Sequence, residues 1–193
     1  MAEPTLDRLL DAFATITAER GLEQATMREV AAAAGVSVGT VQYYCRTKDE
    51  MLLLAFKHII DRITTRAAGV EHTGPVGSVL KQIVLEFLPL DELRQRESRV
   101  YLAFAARAAV TPALTGYQHS LLADLRDQCA RAYVLAKERG ESVTDFDPVL
   151  ASIQTAALVD GLVLQLLSDP DGLSITSAVE AVDAHLRRYV DLG

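Results

Sequence analysis

The sequence predicts an all-α protein, and three observations carry that prediction. Apolar residues recur at three- and four-residue steps along most of the 193-residue chain, no run alternates apolar and polar residues as a half-buried strand does, and the periodic runs are bounded by helix caps and glycines. Half of the residues are hydrophobic and 23% are charged, which excludes disorder over most of the length. The expected architecture is a three-helix helix-turn-helix domain followed by a larger helical domain.

The first helix carries Leu6, Leu9, Leu10, Phe13, Ile16 and Thr17 on one stripe and stops at Gly21. Thr26-Met27-Arg28-Glu29 then reads as a capping box, in which the Thr hydroxyl accepts from a free backbone N–H and Glu29 reaches back. The short helix begun there ends at Gly35, and Ser37 caps a third helix after the turn Gly35-Val36-Ser37. A second capping box, Thr47 to Glu50, opens a long fourth helix with Leu52, Phe56, Ile59 and Ile63 on one stripe, fading at Gly69. Residues 69–77 (GVEHTGPVG) read as a linker. Beyond it the pattern predicts helices at about 78–88, 91–110, 112–139, 147–168 and 175–191, with Thr111-Pro112 and Asp147-Pro148 as starts and Gly140 as a stop. The resulting division is 1–48 for the helix-turn-helix, with the recognition helix at about 38–44, 49–70 for the connecting fourth helix, and 71–193 for the remainder.

Two short helices joined by a three-residue turn containing glycine form the helix-turn-helix pattern, whose first helix braces the second for entry into a major groove. On that second helix Val41, Tyr44 and Cys45 share the inward face, leaving Val38, Gly39, Thr40, Gln42 and Tyr43 outside. Gln can pair with adenine, Thr can meet a phosphate or a thymine methyl, and Gly lets the backbone approach. Charge agrees with this reading. The net charge is −7 and the pI about 5.1, so bulk attraction to nucleic acid is excluded, yet Arg28, Arg46 and Lys48 face Glu29 alone within residues 26–48. Helix N-termini at Met27 and Lys48 add backbone N–H groups suited to phosphates.

The run from Thr26 to Ala31, with GVSVGTVQYYCRTKDEML after it, resembles the DNA-binding domain of the TetR family of bacterial transcriptional regulators. That resemblance implies phosphate contacts from Tyr44 and Lys48; with the outward face, local charge and helix starts read above, the expected DNA-binding set is Thr26, Arg28, Ser37, Val38, Gly39, Thr40, Gln42, Tyr43, Tyr44 and Lys48. Gln42 stands where a Tyr is usual and Cys45 where a Phe is usual. The segment DGLVLQLLSDPDGL and the closing helix are similar to regulators of the type named for the choline-pathway repressor, a likeness that implies a helical ligand-binding and dimerisation domain. The implied function is a ligand-responsive regulator, a repressor released from a palindromic operator by an unidentified small molecule.

Several candidates lie in the C-terminal helices. Polar and aromatic residues set in apolar helices, Tyr101, Phe104, Arg107, Tyr117, Gln128, Tyr133, Gln154 and Asp160, form the candidate ligand pocket. Each is by itself more often core or surface, and Asp160 reads first as a solvent-exposed rim residue or a satisfied carboxylate. The helix 147–168 is apolar nearly all round, so a four-helix seam across a twofold axis is expected, built from Leu158, Gly161, Leu162, Leu166, Val179, Val182, Leu186 and Tyr189, with Glu180, Asp183, Arg187 and Arg188 outside. Cys45 and Cys129 read as core residues rather than redox sensors or metal ligands, and no metal, cofactor or catalytic set is expected. The first ten residues lack a signal-peptide pattern, and the apolar window Ala156 to Leu167 is short for a bilayer and contains Asp160 and Gln165. The expected location is the cytoplasm, away from membranes. Two alternatives fit the composition, a small helical enzyme using the C-terminal cavity and a helical protein-interaction module.

Overall fold

The computed structural model describes residues 4–193. Among them are nine α-helices: α1 (Pro4–Arg20), α2 (Met27–Ala34), α3 (Val38–Tyr44), α4 (Lys48–Ala68), α5 (Val76–Leu85), α6 (Glu92–Ala108), α7 (Pro112–Glu138), α8 (Pro148–Ser168) and α9 (Ile175–Leu186). A 3₁₀ turn at Leu22–Gln24 follows α1. The extended pairing among these residues is one antiparallel bridge, Ser142 with Val190. The chain forms two compact units, residues up to 62 with 95–116, and 63–94 with 117–193.

In the first unit α1 packs on α2 and α2 on α3. Leu9, Leu10, Phe13 and Ile16 of α1, Val30 and Ala31 of α2, Val41 and Cys45, and Met51, Leu52, Ala55, Phe56 and Ile59 of α4 are all buried. Of the stripes expected from the sequence, Leu9, Leu10, Phe13, Ile16 and Thr17 of α1 and Leu52, Phe56 and Ile59 of α4 are buried, while Leu6 is half-buried. Phe56 stacks on Phe104 of α6 with ring centroids 3.9 Å apart and planes 8° apart. Polar contacts tie the same helices at their rim. His58 lies between Asp7 (3.8 Å) and Asp11 (3.6 Å), while Arg62 reaches Asp11 (3.3 Å) and the buried carboxylate of Glu97 (3.4 Å).

In the second unit α9 packs on α8 and α5. Ala178, Val182 and Leu186 of α9 and Ala151, Leu162 and Val163 of α8 are buried. Tyr133 of α7 is fully buried and its hydroxyl bonds Thr155 Oγ1 at 2.8 Å. Thr155 donates to the Ala151 carbonyl and also meets His185 Nε2, both at 2.9 Å. Tyr133, Phe146 and Tyr189 surround this polar knot with mutual ring contacts at 5.0–5.6 Å. Burial holds the Tyr133 hydroxyl well above its ordinary pKa, and burial followed by the charge of Arg188 lowers that of His185.

Four expectations need correction. The last helix ends at Leu186 rather than 191, because the Tyr189 and Val190 N–H groups turn back to Leu186 O and the tail pairs with residues 141–143. Periodicity missed this because Tyr189 stays buried outside the helix. α5 opens at Val76, two residues early, and its second residue, Gly77, has the tail against it: a Cβ there would lie 2.2 Å from Asp191 O. Asp183, expected outside, is half-buried and pairs with Lys81 of α5 at 2.7 Å. Finally, α8 spans 21 residues and is long and apolar enough to cross a membrane by length and composition, so shortness does not set it apart. Ala151, Ser152, Thr155, Leu162 and Val163 are buried along it.

Candidate nucleic-acid interface

Each helix start on the proposed DNA face is fixed by a side-chain hydroxyl. Thr26 Oγ1 accepts the Glu29 N–H at 3.2 Å, Ser37 Oγ accepts the Thr40 N–H at 3.1 Å, and Thr47 Oγ1 accepts the Glu50 N–H at 3.1 Å. A hydroxyl that accepts in this way keeps its own proton to donate. Ser37 and Thr40 hydroxyls are also 2.9 Å apart. The turn between α2 and α3 closes on Gly35, which is left-handed (φ 67°, ψ 36°), with the Val36 N–H donating to Ala31 O at 3.0 Å. This brace leaves α3 little choice of direction.

The faces of α3 divide as the spacing predicts except at Thr40 and Tyr44, expected on opposite sides and both half-buried. Val41 and Cys45 are buried, and burial, with a smaller push from Glu50, raises the Cys45 thiol to about 11, which suits an inert core residue. Val38, Gly39, Gln42 and Tyr43 are exposed, Tyr43 by 83%. Thr40 and Tyr44 are half-buried, and the Tyr44 ring meets Tyr43 edge-on at 5.1 Å. Thr26 and Arg28 are exposed at the start of α2.

The capping boxes differ from the expected form. Glu29 does not reach back to Thr26; its carboxylate takes Arg20 of α1 at 3.0 Å. The Thr26 N–H donates to Gln24 O instead, so the back-reach had no donor to serve. In the second box Glu50 accepts the Arg46 N–H at 2.7 Å and so secures the turn from α3 into α4. Lys48 Nζ donates to Glu23 O at 3.0 Å and lies 3.5 Å from the Glu23 carboxylate. Glu23 is not singled out by the sequence; Glu50 reads as the third position of the box, and Asp49 and Glu50 as acids that suit a helix N-terminus, neither with a place in the interface.

The eight pocket candidates divide between the two units. Tyr101, Phe104 and Arg107 belong to the first unit; Tyr117, Gln128, Tyr133, Gln154 and Asp160 belong to the second. Phe104 is core under Phe56, with Tyr101 6.0 Å from the same ring. Arg107 is a surface residue whose guanidinium takes both Asp49 oxygens, at 2.9 and 3.1 Å, and those hydrogen bonds and that charge raise its pKa further. Tyr133 is core, and Gln154 accepts from the Tyr189 hydroxyl. Gln128 and Asp160 are exposed and Tyr117 is half-buried. Cys129 is half-buried and its thiol is pushed up to about 11 by burial.

The expected seam also divides. Leu162, Val182, Leu186 and Tyr189 are buried within the chain, which withdraws them from a surface, whereas Leu158, Gly161, Leu166 and Val179 are half-buried. The apolar face left open on α8 is the opposite stripe, Val149, Leu150, Ile153 and Leu164, exposed by 47–60%. Two apolar stripes on one helix are indistinguishable by periodicity, and only the position of α9 decides between them.

A family model for "Bacterial regulatory proteins, tetR family" matches residues 9–55, and one for "BetI-type transcriptional repressor, C-terminal" matches residues 78–191. The chain is 32% identical over 166 residues to the HTH-type transcriptional regulator PksA of Bacillus subtilis, covering 84% of this chain and 78% of that one. Among solved structures, a transcriptional regulator from Rhodococcus sp. Rha1 is 34% identical with a TM-score of 0.84, covering 94% of this chain and 93% of that one. A regulator from Saccharomonospora viridis solved in complex with choline shares the fold, with a TM-score of 0.88 at 21% identity over 96% of this chain and 97% of that one.

Proposed function

This chain belongs to the TetR family of bacterial transcriptional regulators and is a DNA-binding regulator, and on that premise we propose how it binds and what releases it. The recognition helix α3 enters the major groove with Gln42 and Tyr43 toward base edges, while Thr26, Arg28, Ser37, Tyr44 and Lys48 hold phosphates on either side. The observation that carries this reading is the outward face of α3, a Gly, a Gln and a Tyr exposed on a helix capped by Ser37. Such a face solvates a helix poorly and suits close approach to DNA.

Residues 1–48 serve as the DNA-binding domain, 49–70 as the connection and 71–193 as the effector-binding and dimerisation domain. Two copies joined in the cytoplasm read two half-sites of a palindromic operator. Support for self-association is the open stripe Val149, Leu150, Ile153 and Leu164, an apolar face of the kind a second copy covers. A small molecule binding the C-terminal domain favours a conformation with mismatched half-site spacing and so releases DNA, as a repressor requires. By linkage, an effector that weakens DNA binding tenfold binds the DNA complex tenfold more weakly, a coupling of about 1.4 kcal/mol.

The test of the binding mode is a parallel selection of duplexes from a random pool by the wild type and by Gln42→Ala. A changed base preference at one position per half-site, with about 1–3 kcal/mol at the affected pair, is expected. An identical consensus for both proteins removes Gln42 from base readout.

A further inference from the structure

We propose that Arg107, at the C-terminal end of α6, is a positioning residue for DNA binding: it cancels the charge of Asp49 and so leaves Lys48 effective toward phosphate. The inference rests on the reading above that the start of α4 faces the DNA backbone. Arg107 lies far outside the helix-turn-helix in sequence and is assigned no contact with DNA.

The first turn of α4 carries Lys48, Asp49 and Glu50 in succession. A helix N-terminus attracts anions, so carboxylates placed there compete with phosphate for the same field. The structure disposes of them differently. Glu50 accepts the Arg46 N–H and serves the turn. Asp49 takes the Arg107 guanidinium in a two-pronged pair at 2.9 and 3.1 Å, the geometry that best matches a carboxylate. Lys48, Asp49 and Arg107 line one cleft of about 210 Å³ with Leu22, Glu23 and Thr47. Within it Glu23 sits by Lys48 and Asp49 by Arg107, so the two cations and two anions alternate. Glu23 is 92% exposed on its side chain, so its hold on Lys48 is screened by water and can yield to a phosphate. The Asp49 charge cannot leave the helix. Without Arg107, a full negative charge stands one residue from the lysine and works against it at phosphate distance.

The experiment uses full-length wild type, Arg107→Ala, Asp49→Asn and the double variant on a fluorescein-labelled duplex that the wild type selects from a random pool. Anisotropy titrations are run from 50 to 200 mM KCl. A unit charge about 10 Å from one or two phosphates predicts that Arg107→Ala binds about three- to fivefold more weakly at the low-salt end. Asp49→Asn binds as well as wild type or better. The double variant recovers wild-type affinity and salt slope, because the exposed charge is gone. If Arg107 only braced the fold, or touched DNA itself, the double variant would stay as weak as Arg107→Ala, and in the second case its salt slope would also fall by about one; either result overturns the proposal. Unchanged affinity for Arg107→Ala overturns it as well. A wild type that selects no duplex would instead overturn the binding reading on which the inference stands, and the inference with it.

Discussion

Replacing Gly35 by alanine isolates the cost of one backbone conformation in the helix-turn-helix. The residue is left-handed, and a Cβ built on it meets nothing within 4 Å, so the penalty is conformational and not steric. An L-residue with an ordinary side chain loses about 1–2 kcal/mol in that region. Against this, alanine restricts the unfolded chain and returns about 0.4–1 kcal/mol. The net expectation is a loss of about 1 kcal/mol for Gly35→Ala, and close to zero for Gly35→Asn, since asparagine tolerates the left-handed region. With a urea slope of about 2 kcal/mol/M the alanine midpoint falls by about 0.5 M. Urea titrations followed by circular dichroism measure both variants. Equal losses for the two would refute the conformational argument, and a loss above about 3 kcal/mol would mean that the turn is crowded.

Three further outcomes are expected. Lys48→Ala should weaken DNA binding alike for all sequences and lower the magnitude of the salt slope by about one; unchanged affinity and slope would take the start of α4 off the DNA backbone. His185 has its pKa lowered by burial and by Arg188, so the unfolded chain takes up its proton first, and the stability His185 contributes is complete above about pH 6.5 and lost as pH falls through the folded value. The melting temperature of His185→Gln relative to wild type should therefore rise between pH 7.5 and 5, and a constant difference would refute the assignment. Ile153→Asp should yield a folded monomer by light scattering, because the residue is 47% exposed on the open face of α8, whereas Leu186→Asp should unfold the second unit by burying an unpaired charge. A dimeric Ile153→Asp would move the interface elsewhere.

What was legible in the sequence is what is local. Thr26, Ser37 and Thr47 announce helix starts by residue type, Gly35 announces a stop, and α3 is short enough that its spacing alone separates Val41 and Cys45 from Gln42 and Tyr43. What was not legible is choice among distant partners. Glu29 took Arg20, nine residues away, because the Thr26 N–H was already given to Gln24 O, and Arg107 found Asp49 across 58 residues. Arg107, Phe104 and Tyr133 look alike in sequence, as polar or aromatic interruptions of apolar helices, yet one is a surface ion pair, one a stacked core ring and one the buried donor to Thr155. The two apolar stripes of α8 carry equal periodic signal, and periodicity could not show that Leu162 of the expected seam lies buried within the chain while Leu158 and Leu166 stay half-buried.

The measurement that bears most directly on the central claim is selection of duplexes from a random pool by the full-length wild type, followed by footprinting on the enriched sequence. A twofold regulator with α3 in the major groove predicts an inverted repeat whose half-site centres lie about 10 base pairs, or a multiple of that, apart, with protection on both strands. Enrichment of no sequence, or of a single asymmetric site bound by one copy, would contradict the account.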